Sequence, residues 1–563
     1  MTTRAPTDAA AREVGDKVVD AVLGANPFVR IDPTETLAAA GKVAARAGTR
    51  PTFLWRKART LAAEARAILA GDGNGSAPRD RRFVDPSWQT NGLYRRWMQA
   101  YLVLERELKS LADEIPIDDQ DADKARFLLS LLADAIAPTN TLVGNPTALR
   151  RARETRGRSL LAGARNLVDD VRHNRGMPSM VDPEPFRVGE TIASTPGAVV
   201  HRTEVLELIQ YQPTTPRVRR CPLVVVPPQI NKFYILDLAP GRSLVEHAVS
   251  RGQQLFMISW RNPDIEHRDW DLARYIDEAE QALVVARRIA RAPSVGVLGA
   301  CAGGITTAAM LAHLAGCGDG RVDSVTFLVT ALDMESPSIL TMFGTDRAVA
   351  RAIKRSRRRG LLDGKELARA FAWLRPNDLV WNHWVNNYLL GNDPAAFDVL
   401  AWNADSTNLP AGLHVDFLRM LAANALARPD SIEIGGILID LRKVTLDAYV
   451  VGALNDHITP WTACYMTPML LGGESRFVLS SSGHIQALVN PPDNPKARFL
   501  TNSTLPENPE EWLAEAAEQQ GSWWDDWLDW LAKRSGDQRR APRQLGSKSY
   551  PPLAAAPGLY VHG

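Results

Sequence analysis

Gly299-Ala300-Cys301-Ala302-Gly303-Gly304 places a cysteine between glycines two positions before and two after it. The apolar run Val295 to Leu298 precedes it and a helical stretch follows. Strand, sharp turn and helix in that order form a nucleophile elbow, here with cysteine where serine is usual. The turn lifts the sulfur above the strand ends, and the glycines leave room for neighbouring backbone. The helix N-terminus favours a thiolate and a developing oxyanion. A buried structural cysteine in a Gly-rich turn is the competing reading, and the strand-turn-helix context weighs against it.

An elbow needs a base and an orienting acid, in the chain order nucleophile, acid, histidine. Asp456 follows the run Ala448 to Val451 and His484 follows Phe477 to Leu479. Both therefore sit past the carboxyl end of a strand, where an open sheet places its ligands. Asp333 also follows a strand and competes for the acid role, with Asp456 preferred. His457 adjoins Asp456 and, as a sequence neighbour, is expected to point away from it, towards substrate or in support of the loop. The oxyanion hole should pair the Ala302 N–H with one from Pro227-Pro228-Gln229-Ile230-Asn231-Lys232. Pro227 and Pro228 have no N–H to give. Ile230 is the chosen donor, and Asn231 a candidate substrate contact. Together these are the parts of an acyl-transfer site.

The elements that must hold them follow from periodicity. Up to about residue 190 the pattern is helical, as in Leu102, Leu104, Leu108 and Leu111 or Phe127, Leu128, Leu131 and Leu132. Polar breaks occur at Gly71 to Pro78 and Pro178 to Pro185. Beyond about residue 200, near-continuous apolar runs appear at Leu223–Val226, Leu255–Ser259, Val295–Leu298, Val325–Val329, Ala448–Val451 and Phe477–Leu479. Parallel strands buried on both faces read this way. Helical segments such as Leu272 to Arg291 and Ile305 to Ala315 lie between them, so an α/β fold with a mainly parallel sheet is expected.

The alternation stops between about Glu335 and Gly436, a stretch too long for a plain connection and rich in tryptophan (Trp373, Trp381, Trp384, Trp402). It reads as an inserted cap. Trp523, Trp527 and Trp530 in the tail share one helical face, expected to pack on the core rather than on lipid or polymer. The domain reading is a variable, partly amphipathic arm over 1–80, a helical N-terminal domain over 81–195 and a catalytic domain over 196–563. The catalytic part carries the cap at about 335–436 and the Trp-rich segment at 509–563.

Composition narrows the function classes. The chain has 66 basic and 64 acidic side chains, a net charge of +2, so no global field favours nucleic acid or an anionic membrane. Cys221, Cys301, Cys317 and Cys464 lie far apart without a CxxC pair, which argues against a disulfide scaffold or zinc knuckle and suits a reducing cytosol. No metal site is expected. The start, MTTRAPTDAAAREVGDK, has no apolar core of a signal peptide. Ser294 to Gly318 carries no formal charge, but its glycines fit a strand, turn and helix better than a membrane span. Arg351, Lys354, Arg355, Arg357, Arg358 and Arg359 form a basic run, read as a solvated helix face ahead of a phosphate contact for coenzyme A.

With these residues in view, the sequence resembles the polyhydroxyalkanoate synthases. The resemblance rests on PPQINKFYILDL from Pro227, SWRNP from Ser259, GACAGGITT from Gly299 and RPNDLVWNHWVNNYLLGNDP from Arg375. It continues through LNDHITPW from Leu454, SSGHIQALVNPP from Ser481 and NPKARF from Asn494, covering roughly Arg81 to the C-terminus. It implies an α/β-hydrolase fold with Cys301 as nucleophile, His484 as base and Asp456 as acid. The substrate would be 3-hydroxyacyl-coenzyme A, joined into polyester with coenzyme A released as product and no cofactor. The wording is similar to the single-subunit class II enzymes, which implies medium-chain monomers. A cytoplasmic location at polyester granules, with granule-associated proteins as partners, and a homodimer formed through the cap are further implications. A thioesterase or depolymerase, or a non-catalytic granule coat, is the alternative.

Overall fold

The computed structural model describes residues 33–71, 80–115, 119–335 and 345–563. Of the arm expected over 1–80, residues 33–71 and 80 lie within them and include two helices, while its start and the polar break after Gly71 lie outside. The chain divides into two compact units. One comprises the described residues of Met1–Asp182 together with Arg369–Phe397; the other comprises Pro183–Ala368 and Asp398–Gly563. The stretch read as a cap is thus shared between the two.

The first unit is helical. Its main helices are α1 (Pro33–Gly48), α2 (Pro51–Ala70), α3 (Gly92–Glu114), α4 (Asp119–Ala135) and α5 (Arg158–His173). The Asn91 side chain starts α3 by accepting the N–H groups of Leu93 and Tyr94. Two small cores form, one around Val43, Phe53 and Ile115, the other around Phe83, Trp88 and Tyr101. The Asn/Trp-rich motif Asn377–Leu389 belongs to this unit and is bound in by its polar groups. Asn377 donates to Asp134 Oδ1 (2.8 Å), Trp384 Nε1 to Asn140 O (3.1 Å) and Tyr388 OH to Asp170 Oδ2 (2.7 Å). Gly163 of α5 is tied to this contact: a Cβ there would lie 2.0 Å from Tyr388 O.

The second unit is built on an 11-stranded sheet. In chain order its strands are β1 (Gly197–Arg202), β2 (Leu206–Tyr211), β3 (Leu223–Val226), β4 (Leu255–Trp260), β5 (Val295–Ala300), β6 (Val322–Leu328), β7 (Asp447–Ala453), β8 (Ser475–Ser480), β9 (Arg498–Thr501), β10 (Ala517–Gln520) and β11 (Ala554–Ala555). They lie in the order β10-β9-β8-β7-β6-β5-β3-β4-β2-β1-β11. The run from β8 to β4 is parallel, and antiparallel pairs close both sides. The parallel strands are the apolar runs read from the sequence: β3 has the same bounds, β6 starts three residues earlier and ends one sooner, and the others gain one or two residues at one or both ends. β5 is buried along its whole length because helices cover both faces.

Two helices flank β5 in sequence: α6 (Leu272–Ala290) and α7 (Ala302–Gly316). The α7 helix is apolar nearly all round because it is enclosed in the unit. Among the described residues, no helix is long and apolar enough to cross a membrane. The basic run forms α8 (Asp346–Arg359), where Arg355 and Arg359 pair with Glu366 (2.8 and 2.9 Å). The tail helix α9 (Trp523–Ala532) packs back on the core. Trp523, Trp527 and Trp530 are buried, and the Trp527 indole donates to Thr326 Oγ1 on β6 (2.9 Å).

Candidate active site

The carboxyl ends of the parallel strands carry the predicted residues. Cys301 follows β5 directly and takes φ 49°, ψ −120°, a left-handed conformation that a side chain adopts at a cost of about 1–3 kcal/mol. The turn is held in place: Cys301 N–H donates to Leu328 O (2.9 Å), and Cys301 O accepts from Gly304 and Ile305. The glycines are there because nothing else fits. A Cβ on Gly303 would lie 2.3 Å from Val226 O, on Gly304 2.0 Å from Thr330 Oγ1, and on Gly299 2.6 Å from Thr307 Oγ1. Close packing of α7 against β3 and β6 thus requires these positions to lack side chains.

His484 opens a short helix after β8, and Asp456 lies in the loop after β7. Their side chains meet: His484 Nδ1 is 2.6 Å from Asp456 Oδ2, with 6% and 0% of the two side chains exposed. The Cys301 sulfur lies near enough to the same imidazole to act on its charge. With Nδ1 occupied by the carboxylate, Nε2 is left to face the sulfur. Asp456 is saturated with donors. Its Oδ1 accepts from Ile458 N–H (2.8 Å) and Thr459 N–H (3.0 Å), and its Oδ2 from Thr459 Oγ1 (2.8 Å) as well as the imidazole. Burial alone would raise the carboxyl, but the His484 charge and these hydrogen bonds hold it below its ordinary value. Burial alone would lower the imidazole, yet Asp456 and the Cys301 sulfur outweigh it and favour imidazolium. A buried thiol, Cys464, lies close by, and burial drives it far up, so it stays protonated.

The rival acid is elsewhere. Asp333 Oδ1 accepts from Asn424 Nδ2 (2.8 Å) and the Glu335 N–H (2.9 Å), not from His484. The carboxylate bonded to His484 is that of Asp456.

The loop after β3 runs past the elbow. Gln229 Nε2 donates to Thr306 Oγ1 on α7 (3.0 Å). The carbonyls of Pro227, Gln229 and Lys232 accept from Trp260 Nε1 (2.9 Å), Thr407 Oγ1 (3.0 Å) and Trp402 Nε1 (2.8 Å). In a trans peptide the N–H points opposite the preceding C=O. Fixing the Gln229 carbonyl therefore fixes the direction of the Ile230 N–H. Among the described residues, neither the Ile230 nor the Ala302 amide has an acceptor. Asn231 stands beside Ile230 at φ 66°.

Sequence reasoning missed Thr459, Thr306, Thr407 and Trp402. For Thr459 a signal existed: a threonine three residues after an aspartate is the spacing of a side-chain-capped turn. The other three come from remote segments and left none.

The residues 79–248 match the model of the poly-beta-hydroxybutyrate polymerase (PhaC) N-terminus, and 222–491 that of the alpha/beta hydrolase fold. Poly(3-hydroxyalkanoate) polymerase 2 of Ectopseudomonas oleovorans is 49% identical over 88% of this chain and 89% of its own. Polymerase 1 of the same organism is 44% identical over 96% and 97%. The poly(3-hydroxyalkanoate) polymerase subunit PhaC of Cupriavidus necator is 43% identical over 88% and 85%. The chain belongs to the poly(3-hydroxyalkanoate) polymerase family of α/β-hydrolase-fold acyltransferases.

Proposed function

We propose that the chain polymerises (R)-3-hydroxyacyl-coenzyme A through a covalent acyl-cysteine. The observation that carries this is the placement of Cys301, at a positive-φ elbow, near His484, whose imidazole is bonded to the buried Asp456. His484 takes the thiol proton and the sulfur attacks the thioester carbonyl. The amides of Ala302 and Ile230 receive the oxyanion, and coenzyme A leaves with the proton from His484. The hydroxyl of a second unit then gives its proton to His484 and attacks the acyl-cysteine, forming an oxygen ester and freeing the sulfur. The steps balance without a cofactor. Cysteine suits them because exchange between thioesters is close to energy-neutral, which preserves the driving force for making the ester.

The same reading includes medium-chain monomers, His457 and Asn231 at the substrate, a homodimer and a cytoplasmic site at the polyester granule with granule-associated proteins. Similarity to the two Ectopseudomonas oleovorans polymerases supports it. The test supplies 3-hydroxyacyl-coenzyme A thioesters of several lengths and follows thiol release, polyester and free acid. Polyester with thiol release supports the proposal, and the best length assigns the monomer class. Thiol release with free hydroxy acid alone would make the chain a thioesterase.

A further inference from the structure

Lys232 closes the loop that carries Ile230, and its ammonium is in an unusual place. The residue is only 3% exposed. The side-chain carboxylate paired with it, on Asp405, is 4.0 Å away. The short contacts are instead to backbone: Nζ donates to Val561 O (3.0 Å) and to Gly563 O. Asn262 Nδ2 reaches the same Gly563 oxygen (3.3 Å). A buried ammonium held chiefly by main-chain oxygens carries a desolvation cost, and here burial lowers its pKa. Such a group persists where its hydrogen bonds fix something that matters.

The segment that receives it is itself anchored. β11 pairs with β1 at the sheet edge. The fully buried Glu207 carboxylate accepts the N–H groups of Leu559 (2.8 Å) and Tyr560 (3.0 Å). Tyr560 OH donates to Thr203 O (2.6 Å), the Arg261 guanidinium lies over the Tyr560 ring at 4.8 Å, and Val561 is buried in the main core. A Cβ on Gly558 would lie 2.3 Å from Glu207 Oε2, so the chain passes tightly over that carboxylate. The segment is therefore a rigid post on the β1–β2 edge, more than 300 residues away in sequence from the loop it touches.

We propose that segment 554–563 is a latch for the oxyanion loop and that Lys232 is the positioning residue connecting them. Thr407 fixes the Gln229 carbonyl before Asn231, Trp402 fixes the Lys232 carbonyl after it, and the Lys232 side chain ties that far end to the post. The strained Asn231 at φ 66° lies between these ties, directly after Ile230. Without the Lys232 tie the far end of the loop rests on the Trp402 bond alone, so Asn231 can relax and the Ile230 N–H, held then only through the Gln229 carbonyl, shifts from the carbonyl oxygen it must serve. This rests on the proposed role of Ile230.

The test uses full-length Lys232→Met, which keeps the apolar stem and removes the donors, and a chain ending at Tyr560, which removes the acceptors. Two rates on Cys301 are compared. Acylation by 3-hydroxyacyl-coenzyme A builds an oxyanion; alkylation by iodoacetamide displaces iodide and builds none. Each variant is expected to slow acylation roughly 10- to 100-fold, the range for a displaced oxyanion donor. Alkylation should stay within about twofold, and the double variant should be no slower than either single one. Wild-type acylation in Lys232→Met refutes the latch while leaving the Cys301 mechanism standing. Equal loss of acylation and alkylation also refutes it, because the damage then reaches the Cys301–His484 pair. Additive losses in the double variant refute the link between the two ends. Thioester turnover surviving in Cys301→Ala would instead overturn the underlying mechanism.

Discussion

Replacing Asp456 by Asn should separate the two halves of the reaction. Asp456 Oδ1 faces two backbone donors, the amides of Ile458 and Thr459. An asparagine must keep its oxygen there, since turning the NH₂ towards them would bury three donors against one another. The NH₂ then faces His484 Nδ1, 2.6 Å from Oδ2 in the native chain. Nδ1 becomes an acceptor, the proton moves to Nε2, and the imidazole can no longer take a proton from Cys301. In serine triads this wrong tautomer costs about 10⁴ in rate.

A thiol has an escape that an alcohol lacks. A thiol is intrinsically a far better nucleophile than an alcohol without a base, so acylation should fall much less than elongation. The attacking hydroxyl of the second unit is far less acidic, and elongation should bear close to the full ~10⁴. The variant should therefore accumulate acyl-enzyme. Rapid quench with radiolabelled substrate measures label on protein, and turnover measures coenzyme A release. Equal losses in both half-reactions, or a loss under tenfold, would refute the tautomer reasoning. A larger effect from Asp333→Asn would reassign the acid.

Three further outcomes follow from the geometry. Cys301→Ala should abolish turnover without lowering the melting temperature, and Cys301→Ser should lose at least ~10³ in polymer formation, because its oxygen ester lacks the thioester's driving force; both are read by thiol release and calorimetry. Gly303→Ala drives a Cβ to 2.3 Å from Val226 O and should cost ~3 kcal/mol or more, or prevent soluble expression. Gly320→Ala, with nothing within 4 Å, should be neutral in the same denaturation assay. Burial pushes the Asp237 carboxyl up to about 6 despite hydrogen bonds from Thr195, Ser243 and Tyr211. Its proton stabilises the fold fully below pH 3.8, and that contribution is lost as pH rises through about 6, up to about 3 kcal/mol in all. Melting curves at pH 5 and 7.5 should show this slope in the native chain and its loss in Asp237→Asn.

What the sequence disclosed was governed by how local each signal is. The parallel strands were legible because burial on both faces makes them near-continuously apolar, as in Leu223–Val226. β2 was missed because Glu207 and Gln210 interrupt it. Both are buried, but they are satisfied by the Leu559 and Tyr560 amides and by Gly546 N–H (2.6 Å), over 300 positions away. β10 was missed for the opposite reason: Ala517–Gln520 is an edge strand exposed throughout, with no apolar face to betray it. The placement of Cys301, His484 and Asp456 past neighbouring strand ends was legible because chain order and strand ends fix it. The loop ties through Trp402, Thr407 and Lys232 were not, because each joins segments that only the fold brings together.

On the proposed mechanism, the α/β-hydrolase framework leaves one question for the rest of the chain: why the acyl-enzyme is taken by a hydroxyl and not by water. The relay cannot decide it, since His484 would activate either nucleophile. Nor can the elbow, which presents the same thioester to both. Two properties remain. The acyl-cysteine must survive long enough for the next unit to arrive, and the oxyanion donors must favour the carbonyl geometry of a bound, oriented hydroxyl. A loop that could drift would serve any small nucleophile nearly equally. A loop held through its carbonyls, with a strained Asn231 beside the donor, gives most stabilisation to one approach, and preorganisation of that kind discriminates in the transition state rather than in the bound ground state. Holding the loop still is therefore as much a part of being a polymerase as the choice of sulfur over oxygen.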